Sequence, residues 1–127
     1  MEGLSVHEIS VEVIFSAAHR IRLGEGEVDR LHGHNWKTVV SVQADRLDEN
    51  GLALDFGQLR RITREVTQKL DHQDVNAVPP FDHLNPTAEN VARWIFEEIA
   101  SRLTEPHLRV CRVQVWEEEG VCASYFA

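Results

Sequence analysis

Ile9, Val11, Val13, Phe15 and Ala17 occupy every second place of the chain, and the next place in that row belongs to His19. No other feature limits the possible folds as tightly. Alternate residues of an extended strand point to one face, so a period-two apolar row of this length predicts a strand with one buried side. His19 then stands at the end of the buried row. A second row follows Leu31-His32-Gly33-His34-Asn35-Trp36, where His32 and His34 share a parity with Trp36, Val40 and Val42. If the two strands pair antiparallel, the end of the first meets the start of the second and the three imidazoles converge. Three histidines with an open fourth position are a catalytic-zinc arrangement, whereas structural zinc sites are closed by four ligands rich in cysteine. One such histidine would read as a hydrogen-bonded core residue; three on two buried registers point to a metal.

The 127 residues suffice for one domain with its own hydrophobic core, so a metal here serves chemistry rather than folding. Thirteen basic against 21 acidic side chains leave a net charge of −8, which argues against a nucleic-acid backbone or an anionic membrane surface as partner. No apolar run reaches the roughly 18 to 20 residues needed to span a bilayer, and the first residues, with Glu2 and His7, lack a signal pattern. A cytoplasmic protein is expected. Cys111 and Cys122 are too few for a disulfide framework and read as reduced thiols in packing roles.

The first strand is predicted from about Val6 to His19 and the second from about His34 to Ala44. Between them, Arg20 to Leu31 is long for a hairpin loop, and long ordered loops are disproportionately functional. Its Arg20, Arg22 and Arg30 lie near the proposed metal in sequence and could give it a positive field. Asp55 with Gln58 has capping-box spacing, and Phe56, Leu59, Ile62, Val66 and Leu70 then recur at helical spacing. The helix from Phe56 to Leu70 ends on Asp71-His72, two adjacent titratable groups where the helix dipole favours an imidazolium. Asn85-Pro86-Thr87 opens a second helix, with either Asn85 or Thr87 as its cap. A third strand, Leu108 to Glu117, carries Cys111, Val113 and Val115 on one parity, and Glu117 continues that row as an inward carboxylate that needs a donor. A last strand runs from Val121 to Phe126. The order strand, strand, helix, helix, strand, strand predicts an α+β domain, a four-stranded antiparallel sheet with both helices on one face. Its two open edges predict subunit pairing into a ring.

FSAAH, RLHGHNW, LDFGQL, KLDHQDVN, NPTAENVARWIF and VQVWE, in that order over nearly the whole chain, closely resemble the 6-pyruvoyl-tetrahydropterin synthase family. That family includes the 6-carboxy-tetrahydropterin synthases of the queuosine pathway. The resemblance implies a tunnelling fold, in which three subunits join their sheets into a β-barrel and two rings stack into a hexamer. It also implies a dihydropterin triphosphate substrate and active sites at subunit boundaries. It places the Zn2+ ligands on His19, His32 and His34, the residues reached independently from strand parity. It puts the acid/base pair on Asp71 and His72 of a neighbouring subunit, and the pterin anchor on Glu117, with Thr87 near the same pocket.

The chain departs from that pattern at one place. Queuosine-type members have a cysteine base four residues before the first histidine of HGH, where this chain has Val28. A related branch, thought to cut the side chain toward 6-hydroxymethyl-dihydropterin for folate synthesis, has a glutamate three residues before it, where this chain has Asp29. Asp29, or Glu27 by swinging inward, is thus the candidate base; Cys122 is distant in sequence. The leading expectation is a zinc-dependent lyase acting on the side chain of 7,8-dihydroneopterin triphosphate or a close relative. The alternatives are a zinc- and pterin-binding protein that has lost catalysis with its cysteine, and a hydrolytic three-histidine zinc enzyme, which leaves Asp71 and Glu117 unexplained.

Overall fold

Two thirteen-residue strands, β1 (His7–His19) and β4 (His32–Ala44), pair antiparallel along their whole length, from His7 opposite Ala44 to His19 opposite His32. In this computed structural model, which describes residues 6–127, the sheet continues through β6 (Leu108–Glu118) and β7 (Val121–Phe126). Glu2 lies outside the described residues. The four long strands are antiparallel neighbours in the order β1-β4-β6-β7. The expected four-stranded sheet is corrected by a fifth member, the two-residue β5 (Gln73–Asp74), which pairs parallel to β1 at Ala17 and Ala18 and makes the sheet mixed. A strand that short displays no alternation for a sequence pattern to reveal. The connection after His19 also contains a small hairpin of β2 (Arg22–Gly24) and β3 (Glu27–Val28). Gly24, Glu25 and Gly26 all have positive φ at its turn, the backbone shape that tight hairpins require.

The amphipathic rows fall where their periods predict. Val11, Phe15 and Ala17 of β1 and Trp36, Val40 and Val42 of β4 are buried against the helices α1 (Phe56–Thr67) and α2 (Ala88–Ala100). Helix α1 lies over β1, and α2 over β6 and β7, so both helices cover one face of the sheet around a single core. Asp55 caps α1 by accepting from the Gln58 N–H at 3.1 Å. For α2 the cap is Thr87, which accepts from the Asn90 N–H at 3.1 Å. That leaves Asn85 free for another role.

The third strand follows its expected parity only in part. A register shift between Ser41 and Val42 of β4 leaves Cys111 of β6 without an opposite residue, so Val110 and Leu108 face the core and Cys111 is half-buried with its thiol on the Ser41 carbonyl. The bulge inserts one extra residue and inverts the row on its N-terminal side. Val113, Val115 and Glu117, beyond it, keep the inward parity. Among the described residues, the outer edge of β7 has no strand partner and that of β1 is paired only at Ala17 and Ala18. Among the described residues no helix is long and apolar enough to cross a membrane.

Leu59 is fully buried between α1 and the sheet. Leu59→Ala is expected to lower unfolding free energy by about 2 to 5 kcal/mol in urea melts, and Thr87→Ala by about 1 kcal/mol through loss of the cap.

Candidate metal centre

Antiparallel register alone brings the histidines together. His19 is directly opposite His32, and His34 is two pairs further in, opposite Ala17. The ring centroids of His19 and His32 are 4.6 Å apart, those of His32 and His34 4.8 Å, and those of His19 and His34 5.6 Å, with planes steeply inclined. One ring nitrogen from each lies within 4.8 Å of the others.

The outer nitrogens of His19 and His32 are held from behind. His19 Nδ1 is 2.7 Å from the Pro86 carbonyl, and His32 Nδ1 is 2.7 Å from the Arg30 carbonyl. A carbonyl only accepts, so each Nδ1 carries the hydrogen and each Nε2 presents a lone pair, the tautomer a metal needs. Burial pushes the pKa of the fully buried His19 below the usual value, against the opposing pull of the Pro86 carbonyl and Glu117, and so favours the neutral imidazole. His19 Nε2 and His34 Nε2 are buried without a hydrogen-bond partner. Unsatisfied buried polar atoms are costly, and two unpartnered imidazole nitrogens beside the Nε2 of His32 fit a divalent cation. The residues present therefore suit a metal by tautomer, burial and donor type.

The segment leaving His19 is fixed by two asparagines, Asn76, which no sequence pattern singled out, and Asn85, which the sequence offered only as a helix cap. Asn76 accepts from the Arg20 N–H at 2.9 Å and donates to the Arg20 carbonyl at 3.0 Å. Asn85 does the same to Arg22, at 2.8 and 2.9 Å. Each side-chain amide thus substitutes for a neighbouring strand. The available signal was the placing of Asn85 before Pro86, at a helix start that Thr87 already caps. Arg22 donates from its guanidinium to the carbonyls of Phe81 at 3.0 Å and Asp82 at 3.4 Å, so it braces that turn.

Glu117 reaches the cluster: its Oε1 is 3.5 Å from His19 Nε2 and its Oε2 4.0 Å from His34 Nε2. Asp29 stands on the outer side of His32, with Oδ2 3.9 Å from Nδ1, while its Oδ1 accepts from the Ile21 N–H and ties the loop shut. Thr87 starts the helix directly after Pro86, the residue that orients His19. Cys122 is exposed on β7 opposite Trp116 and makes no hydrogen bond or ion pair to the three histidines among the described residues, although it borders the same small recess as Glu117.

Asp71 and His72 form a separate group at the outer edge of β1. Asp71 Oδ1 accepts from the Ser16 N–H at 2.9 Å and lies 3.0 Å from His72 Nδ1; the Ser16 hydrogen bond is the largest cause of its lowered pKa. His72 has φ 60°, a left-handed conformation costly for a residue with a Cβ, and its side chain is 80% exposed. Among the described residues no hydrogen bond or ion pair joins this pair to the three histidines, although a depression of about 490 Å3 borders both His34 and His72.

The model of the family described as 6-pyruvoyl tetrahydropterin synthase matches residues 8–127. A protein of Archaeoglobus fulgidus, provisionally named 6-carboxy-5,6,7,8-tetrahydropterin synthase, is 40% identical over 87% of this chain and 88% of its own. The dihydroneopterin monophosphate aldolase of Pyrococcus furiosus is 34% identical over 81% of this chain and 82% of its own. The structure of Caenorhabditis elegans 6-pyruvoyl tetrahydropterin synthase superposes with a TM-score of 0.85 at 24% identity, covering 100% of this chain and 99% of the other, which establishes a shared fold.

The chain is expected to take up one divalent ion, measured by competition with a chromophoric chelator. His34→Ala should weaken that binding by more than about 100-fold, beyond the range of lost outer contacts, whereas His72→Ala should change it by less than about threefold.

Proposed function

Since the chain belongs to the 6-pyruvoyl tetrahydropterin synthase family, we propose that it is a zinc-dependent lyase acting on the side chain of 7,8-dihydroneopterin triphosphate or a closely related phosphate ester. The observation that carries this reading is the pair of orphaned imidazole nitrogens facing Glu117 within a three-histidine cluster. His19, His32 and His34 hold the ion. When bound, zinc supplies a Lewis acid for the side-chain oxygens and acidifies the hydrogens beside them.

The remaining roles fall to the chain's own groups. Glu117 accepts paired N–H donors from the aminopyrimidinone ring, as a carboxylate does from guanidinium, with Thr87 beside the same pocket. His72 moves protons, oriented by the depressed-pKa carboxylate of Asp71. The exposure of that pair at an open sheet edge supports its delivery to a neighbouring subunit's site, and so a homo-oligomer of barrel-forming trimers paired as a hexamer. Asp29 accepts the proton that a cysteine takes in other members. Its Oδ2 remains available, since only Oδ1 is committed to Ile21.

The aldolase name of the Pyrococcus furiosus relative favours carbon–carbon cleavage to 6-hydroxymethyl-dihydropterin. In that reaction Asp29 removes the C2′ hydroxyl proton, the C2′ oxygen forms a carbonyl as the C1′–C2′ bond breaks, the C2′ fragment leaves as a two-carbon aldehyde, and the electron pair of that bond passes into the conjugated ring. His72 then returns a proton to C1′. Val28, where relatives of the queuosine type carry a base, supports a second reading, a zinc- and pterin-binding protein without catalysis.

The zinc-loaded protein is expected to convert dihydroneopterin phosphates to products identifiable by mass spectrometry. Asp29→Asn keeps an acceptor for the Ile21 N–H and should still lower kcat by about 10² to 10⁴-fold, as should His72→Ala. Absence of turnover in the wild-type protein, with activity gained by Val28→Cys, would establish the second reading instead.

A further inference from the structure

We propose that in the ligand-free protein Glu117 is the fourth ligand of the metal held by His19, His32 and His34, and that an incoming pterin draws this carboxylate away and opens the position its side chain needs. This rests on the metal centre described above and assigns Glu117 a second task, at rest, beside that of anchoring the ring.

The first support is distance. Ligands about 2.0 to 2.2 Å from a tetrahedral ion lie roughly 3.3 to 3.6 Å from one another. Glu117 Oε1 is 3.5 Å from His19 Nε2, at ligand spacing, and Oε2 is 4.0 Å from His34 Nε2, a few tenths of an ångström beyond it.

The second is polarity. With its hydrogen on Nδ1 and directed at Pro86, His19 turns a lone pair toward a group that is itself acceptor-only. Neither Nε2 has a hydrogen-bond partner. Acceptors that face one another repel unless a cation stands between them.

The third is freedom to move. A register shift between Trp116 and Glu118 puts Glu117 at an irregularity of the β6–β7 ladder, the kind of place where a side chain is re-aimed. Its side chain is 26% exposed, and it also lines a recess of about 180 Å3 with Ala88, Glu89 and Ala123. The carboxylate thus has a second direction available. The donor edge of a pterin and its three-carbon side chain lie at opposite ends of the ring system, so one carboxylate cannot bind that edge and the metal together. Pterin binding would thereby exchange a closed four-ligand site for the open one that catalysis uses.

Cobalt(II)-substituted protein tests this without turnover. Glu117→Gln is expected to shift the visible ligand-field bands and to weaken cobalt and zinc binding by about 10-fold or more. In the wild-type protein, unreactive oxidised neopterin should move the bands in the same direction; this measurement does not depend on the variant folding. Unchanged bands and affinity in a folded Glu117→Gln, or wild-type bands indifferent to oxidised neopterin, would overturn the proposal while leaving turnover of dihydropterins intact. A wild-type chain that binds neither metal would overturn the metal centre as well.

Discussion

The register between β1 and β4 is the constraint on which the rest of the molecule depends. It places His19 opposite His32 and sends Val11, Phe15, Ala17, Trp36, Val40 and Val42 to the same side. A slip of one residue between the strands would turn one row to solvent and separate the imidazoles. Burial of the core thus enforces the geometry of the site: the apolar residues that exclude water from the helix-covered face are in line with the groups that need a dry place. The Trp36 indole adds to this by donating to the Ala17 carbonyl at 3.1 Å, across the same strand pair.

The imidazoles of the cluster, in a chain of net charge −8, are oriented by backbone rather than by cations. Carbonyls at Pro86 and Arg30 choose the tautomer, and the amides of Asn76 and Asn85 hold the backbone that leaves His19. These contacts come from three separate parts of the chain. They preorganise the nitrogens before any ion arrives, which keeps the cost of assembling the site out of the binding step.

Much of this was legible in the sequence, because a period of two or 3.6 residues reports directly on which face is buried. The rows ending at His19 and beginning at His32 were readable for that reason, as were Asp55 and Thr87 at their helix starts. Cys111 was misplaced because a bulge of one residue inverts parity and leaves no mark in hydrophobicity. The two residues of β5 were invisible because pairing so short depends on a partner strand, not on composition. The roles of Asn76 and of Asn85, a candidate cap by its sequence, were hidden because the backbone groups they bind are over fifty residues away in the chain.

Local pattern, then, determined the long elements, most inward faces, the three candidate metal-binding histidines and the family motifs, all of which are properties of neighbouring positions. Tertiary structure decided where each functional group points. Glu117 turns to Nε2 of His19 and of His34, Asp29 keeps one oxygen tied to Ile21, and Asp71 with His72 stands apart at an exposed edge. Those outcomes turn on bulges, loop closure and hydrogen bonds between distant segments, whose energies depend on three-dimensional proximity that no short-range periodicity encodes.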